Sequence, residues 1–290
     1  MTTTRRTFLK TVGLLAAGAA VRTPAPAYAG PTDDEIALDL FARAARESWP
    51  ALPMGTLVTT VGRSFLGTPY AAHTLEVPGE EHLVVNLRGL DCTTFVETCL
   101  AFARCVRLGE ATVGAFRAQL QLIRYRGGAI TGYPSRLHYF ADWIHDNAAK
   151  RVVRDLTGEL GGEPLEKRID FMTAHRNSYR QLADDTAFLA VRETEAALSA
   201  RGMLYVPKAR MAAVSGQMQE GDVVGITSAL DGLDIAHTGL AVRSGGEIRL
   251  LHAPIAGKSV EITRNPLHVY VRGNDKQTGA MVARVLDPAA

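Results

Sequence analysis

Cysteine is scarce in this chain, neither sign of charge dominates, and its body holds no long apolar run. Three Cys in 290 residues are far too few for a disulfide-stapled scaffold. Charged residues make up only 21% against 47% hydrophobic, which excludes intrinsic disorder. The 32 basic residues barely outnumber the 30 acidic ones, so there is no electrostatic footprint for nucleic acid. After residue 30 nothing approaches the roughly 18 consecutive apolar residues of a membrane span, and no stable membrane anchor is expected. No His-Glu-x-x-His or Cys-x-x-Cys spacing occurs, which argues against a metal-dependent hydrolase and predicts no metal or other cofactor. Internal repeats are absent too. What remains is enough apolar sequence to bury a sizeable core.

Residues 1–29 stand apart because they contain no acid at all. Arg5 and Arg6 lead into Thr7-Phe8-Leu9-Lys10, then a Gly- and Ala-rich run from Thr11 to Val21, and the segment closes on Ala27-Tyr28-Ala29. The run is too short to span a bilayer, and its end is an A-x-A cleavage pattern. The string resembles a twin-arginine export signal. That resemblance implies passage through the twin-arginine translocase as folded cargo, cleavage near Ala29 and a periplasmic or other extracytoplasmic location. Without Arg5, Arg6, Lys10 and Arg22 the charge balance turns to −2. Residues 30–290 are read as one domain.

The three cysteines fall at 92, 99 and 105. Residues 93–108 carry apolar side chains at 95, 96, 99, 100, 102, 103 and 106 with no Gly or Pro, a helical period. Cys99 and Cys105 therefore share a helix about 9 Å apart along its axis, beyond disulfide reach. They read as core thiols. Cys92 differs. It opens the helix after the extended run His82 to Leu87, with Asp91 at the capping position. A thiol there faces unpaired N–H groups and the positive end of the helix dipole, which favours the nucleophilic thiolate.

A nucleophilic cysteine needs a base, and eight histidines are available. Position discriminates among them. The C-terminal part reads as strands at 221–227, 235–242, 247–253 and 258–263, with Gly245-Gly246 as a hairpin turn. If those two glycines are the turn residues, His252 pairs with Gly239 and lies diagonal to His237 on one face. His252 can then orient the ring of His237, as a catalytic base requires. A turn one residue longer or shorter would send the two rings to opposite faces.

The strings Gly67-Thr68-Pro69-Tyr70, Leu90-Asp91-Cys92-Thr93-Thr94-Phe95-Val96-Glu97, Ser135-Arg136-Leu137-His138-Tyr139-Phe140, Gly221-Asp222 and Gly232 to Gly239 together resemble the N-acetylmuramoyl-L-alanine amidase-like family of the NlpC-type papain-like cysteine peptidases. The resemblance spans about residue 60 to the C-terminus. It implies Cys92 as nucleophile, His237 as base and His252 as the orienting residue of a Cys-His-His triad. It also implies an amide in peptidoglycan or a muropeptide as substrate: the bond between N-acetylmuramic acid and L-Ala, or alternatively a γ-D-glutamyl bond further along the stem. A non-catalytic cell-wall binder is a third reading, disfavoured because all three residue types are present. Pro254 follows His252-Ala253 where the family usually carries a small polar residue.

The expected fold is α+β: a papain-like core whose Cys-bearing helix packs on an antiparallel sheet of about five strands within residues 220–287, with a helical insertion over about 109–205. In that insertion Ser135, Arg136 and Tyr139 are expected to wall the substrate cleft. Ser135 would cap a helix start, and Arg136 would meet a stem-peptide carboxylate, which its guanidinium suits. Tyr70, Asp91 and Thr93 are further substrate-binding candidates around Cys92.

Overall fold

The computed structural model describes residues 30–256 and 258–288; the export-like segment 1–29 lies outside them. Helix α1 (Asp33–Arg46) begins in a capping box between Thr32 and Glu35 and buries Ala37, Leu40, Phe41 and Ala44, one stripe of a 3.6-residue period. Helix α2 (Met54–Ser64) follows. Helix α3 (Cys92–Leu108) is capped by the Asp91 carboxylate and stopped by Gly109 in the left-handed region. Every residue of α3 from Thr94 to Val106 is buried, so it is the central helix of the fold. On it, Phe102 stacks against Phe116 of α4 (Val113–Arg124) with centroids 4.1 Å apart, and meets Phe41 of α1 at a tilt with centroids 5.2 Å apart. The buried Glu97 carboxylate pairs with Arg124 at 2.6 Å. Helices α5 (Phe140–Ala149), α6 (Asp185–Arg201) and α7 (Leu267–Arg272) complete the set used below. No helix among the described residues is long and apolar enough to cross a membrane.

Among the described residues the sheet has eight strands, all of them paired antiparallel: β1 (Val153–Asp155), β2 (Glu163–Pro164), β3 (Leu204–Pro207), β4 (Val223–Ser228), β5 (Ile235–Ser244), β6 (Glu247–His252), β7 (Glu261–Ile262) and β8 (Gln277–Val285). Their order is β2-β3-β8-β4-β5-β6-β7, with β1 also on β8. The sequence reading of about five strands misses β1 to β3. Two of these lie inside the segment expected to be helical and the third at its end, and at two to four residues each they are too short to print a two-residue alternation. Both faces of the sheet are covered. Val223, Leu240, Val242 and Leu251 face the helices, whereas Val224, Ile226, Ala241 and Leu250 face a second core with Met211, Leu267 and Val271.

A close backbone approach and an ion pair to a buried carboxylate fix the start of β4. Gly221 has φ +84°, and a Cβ there would fall 2.4 Å from the Gly55 Cα, so α2 crosses the entry to β4 backbone on backbone. Next to it Asp222 is buried and holds Arg284 through two 2.9 Å bonds. The Gly221-Asp222 string is therefore a structural joint.

Candidate active site

The site begins at the first residue of α3. The Asp91 carboxylate accepts the Thr94 N–H at 2.8 Å while the Thr94 hydroxyl lies 2.9 Å from the Asp91 nitrogen, a reciprocal cap that fixes the helix start. Cys92 is partly exposed there, and Cys99 and Cys105 are buried and free. The Thr93 hydroxyl lies 4.0 Å from the Cys92 sulfur. The Thr238 backbone lies near enough to the same sulfur to favour its thiolate, which sets the thiol against β5 at the residue following His237. Burial first, and the Asp91 charge second, push the Cys92 thiol up to about 12 against the pull of the Thr238 and Thr93 contacts. This reverses the thiolate expected from the helix dipole: loss of solvent outweighs the local field.

The hairpin places the histidines as its turn requires. Ser244 pairs with Glu247 and Leu240 with Leu251, the register that Gly245-Gly246 predicts. The His237 Nε2 lies 2.5 Å from the His252 Nδ1, with the rings edge to face. A Cβ at Gly239 would sit 2.9 Å from the His252 Cβ, so glycine is what lets the strands close at this point. Burial holds His237 down to about 4, and burial followed by the His237 charge holds His252 down to about 3. Burial thus favours the uncharged form of the thiol and of both imidazoles. With Nε2 engaged, Nδ1 is the His237 nitrogen free to take a proton.

Tyr70 also belongs here. It forms a bridge with Leu90, its backbone N–H donates to Lys258, and burial, then the nearby Cys92 and Asp91, raise its phenol. Cys92, His237, His252, Tyr70, Asp91 and Thr93 are therefore brought together.

Ser135, Arg136 and Tyr139 are each engaged with other partners in the fold. Helix α5 starts at Phe140, not at Ser135. Its first turn is capped from afar, the Asp234 carboxylate accepting the Ala141 N–H at 2.8 Å. Ser135 instead closes a short 3-10 turn, bonding the Gly132 carbonyl at 2.6 Å. Ser135 does line an open groove of about 1190 Å³ between residues 77–81 and α6, but neither Cys92 nor any of the five residues gathered around it lines that groove. Arg136 is buried and committed to the chain's own Glu76 at 2.9 Å and Glu81 at 3.4 Å, so it offers no free guanidinium to a substrate carboxylate. The buried Tyr139 hydroxyl donates to Glu195 at 2.6 Å. All three are tied to partners within the fold.

Sequence reasoning missed Tyr270, whose ring meets His252 edge to face at 5.5 Å, and Glu261, which pairs with His252 across β6 and β7. Neither belongs to a motif. Among the described residues no group of three or more His, Cys, Asp or Glu is placed to hold a metal ion.

A mixed α+β fold that brings a thiol and two coupled imidazoles together has the groups a hydrolase needs. The chain belongs to the AmiA-like, N-acetylmuramoyl-L-alanine amidase-like family, whose profile matches residues 60–279. A solved N-acetylmuramoyl-L-alanine amidase from Bacteroides uniformis is 36% identical over 80% of this chain and 99% of its own, with a TM-score of 0.76. A Bacteroides fragilis structure that carries a provisional xylanase name is 34% identical over 78% of this chain and 100% of its own, with a TM-score of 0.73. A Legionella pneumophila protein at 20% identity shares the fold, with a TM-score of 0.65 over 87% of this chain and 94% of its own. Among curated proteins none matches the chain.

Proposed function

We propose that the protein is a cysteine-dependent hydrolase of peptidoglycan fragments that cleaves the amide between N-acetylmuramic acid and L-Ala. The observation that carries this reading is the Cys92 thiol at the head of α3, lodged on β5 beside His237, whose Nε2 is coupled to His252 at 2.5 Å. Family membership supports the substrate class. A helix-borne thiol on an antiparallel sheet whose neighbouring strands supply base and orienter supports a papain-like, NlpC-type ancestry.

The chemistry starts from neutral partners. As the sulfur attacks the lactyl carbonyl carbon, the thiol proton moves to the His237 Nδ1. The carbonyl oxygen becomes an oxyanion facing the N–H groups of the first turn of α3, that of Cys92 among them. One such donor is worth on the order of 10²–10³ in rate. Collapse breaks the C–N bond, His237 returns its proton to the departing L-Ala nitrogen, and a muramyl thioester remains on Cys92. A water, deprotonated by His237, hydrolyses the thioester and restores the thiol. His252 holds the His237 ring in place throughout.

Mass spectrometry of products from a defined muropeptide tests the bond choice. The amidase reading predicts a free stem peptide and an unsubstituted muramyl sugar. A released muramyl dipeptide would instead show cleavage at the γ-D-glutamyl bond. The reading includes export: residues 1–29 act as a twin-arginine signal delivering the folded enzyme beyond the inner membrane. N-terminal sequencing of exported protein then finds Gly30 first, and an intact Met1 outside the membrane would contradict cleavage.

A further inference from the structure

His252 is wholly buried, yet among the described residues only one of its ring nitrogens has a hydrogen-bond partner. The other, Nε2, is enclosed with no hydrogen-bond partner among them. Its neighbour across the sheet is Glu261, paired residue to residue with His252 between β6 and β7. Residues directly opposite each other in an antiparallel pair share a face, and the Glu261 Oε1 lies 4.0 Å from that orphan nitrogen. The Glu261 side chain is half-exposed, so its three torsions are free to close the gap. The other titratable groups packed on the ring are His237 from β5 and Tyr270 from α7, while Cys92 heads the helix on the same strands.

Tautomer logic gives this arrangement a consequence. A neutral imidazole carries one N–H. For the His237 Nδ1 to take the Cys92 proton it must hold a lone pair, so the His237 hydrogen must sit on Nε2. That N–H then donates to the His252 Nδ1, which must itself be a lone pair, and this forces the His252 hydrogen onto Nε2. The opposite arrangement puts the hydrogen on the His252 Nδ1, reverses the bond between the rings and leaves the His237 Nδ1 protonated and unable to act as base. The two arrangements differ in what Nε2 of His252 presents to Glu261: an N–H, which a carboxylate accepts, or a lone pair, which it repels.

We propose that Glu261 is a positioning residue that selects the productive tautomer of His252, and through it that of His237. The proposal rests on Cys92 and His237 being the reacting pair. It does not require Glu261 to touch substrate. The carboxylate acts from the sheet edge, two groups removed from the sulfur, as the final acceptor in a chain Cys92–His237–His252–Glu261.

Nitrogen NMR of the histidine rings, combined with steady-state kinetics, tests it. In wild type and in a Cys92→Ala background, His252 should report its hydrogen on Nε2. In Glu261→Ala the ring should become a mixture of tautomers. Its kcat should fall about tenfold or more, a part of the ~10²–10⁴ that a positioned base supplies, with KM and Tm unchanged. Glu261→Gln keeps an acceptor oxygen and should recover part of the loss. Wild-type kcat and an unchanged Nε2–H tautomer in Glu261→Ala would overturn the proposal. Full hydrolysis by Cys92→Ala would instead overturn the underlying catalytic reading, and the ring spectra, which need no turnover, would still judge Glu261.

Discussion

Replacing Arg136 by Met distinguishes a structural guanidinium from a substrate-binding one. In the fold Arg136 is only 4% exposed. Its Nη2 meets Glu76 at 2.9 Å and its Nη1 donates to the Leu75 carbonyl at 3.0 Å. Its Nε lies 3.4 Å from Glu81, close enough for charge attraction but not aligned as a hydrogen bond. The Glu81 side chain is itself buried, and the Tyr125 hydroxyl donates to it at 2.8 Å. Removing the cation strands that carboxylate, and breaking a buried pair from one side costs about 3–5 kcal/mol. For a chain of this size each kcal/mol moves Tm by roughly 2–4 °C, so Arg136→Met should melt roughly 6–20 °C lower. Adding Glu81→Gln removes the stranded charge and should recover part of that loss. Thermal unfolding by circular dichroism reads the stability, and muropeptide hydrolysis well below both melting points reads KM, which should stay within about twofold because no substrate contact is lost. An unchanged Tm with KM raised tenfold would refute the reasoning and return Arg136 to the cleft.

Two further outcomes follow from the site. The active form of His237 is the neutral imidazole, present above its folded value of about 4 and lost as pH falls through it. The acid limb of kcat/KM should therefore lie near pH 4; a limb near the ordinary imidazole value of about 6.5 would contradict a dry, uncharged pair. Gly239→Ala drives a methyl to 2.9 Å from the His252 Cβ and 2.8 Å from the Leu251 carbonyl. Overpacking of this kind costs about 1–3 kcal/mol, and the forced shift of β6 should depress kcat beyond what the loss of Tm explains; wild-type kcat in this variant would show that the strands tolerate separation.

The parts of the site legible in the sequence are those built by local rules. Asp91 caps a helix because a short carboxylate reaches the third N–H, and the helical period after it has no breaker, so the place of Cys92 could be read. Gly245-Gly246 fixes the register of β5 and β6, so the meeting of His237 and His252 could be read as well. The rest is decided by partners far along the chain. Arg136 finds Glu76 60 residues away, and Tyr139 finds Glu195 56 residues away. The sequence displays a cation and a phenol without showing what they are bound to. Glu261 and Tyr270 reach His252 only through the β6–β7 pairing and the packing of α7, and neither leaves a trace in spacing. The Cys92 thiol follows the same pattern: its helix dipole is local and legible, whereas the burial that overrides it belongs to the assembled fold.

In the proposed mechanism Cys92 and His237 act as one reacting unit. Single-turnover hydrolysis of a defined muropeptide by Cys92→Ala, His237→Ala and the double variant tests it most directly. Each single change should abolish hydrolysis by at least about 10⁴-fold with Tm preserved, and the double should be no worse than either, as for residues that work together. Hydrolysis at the wild-type rate by a folded Cys92→Ala protein would contradict the account.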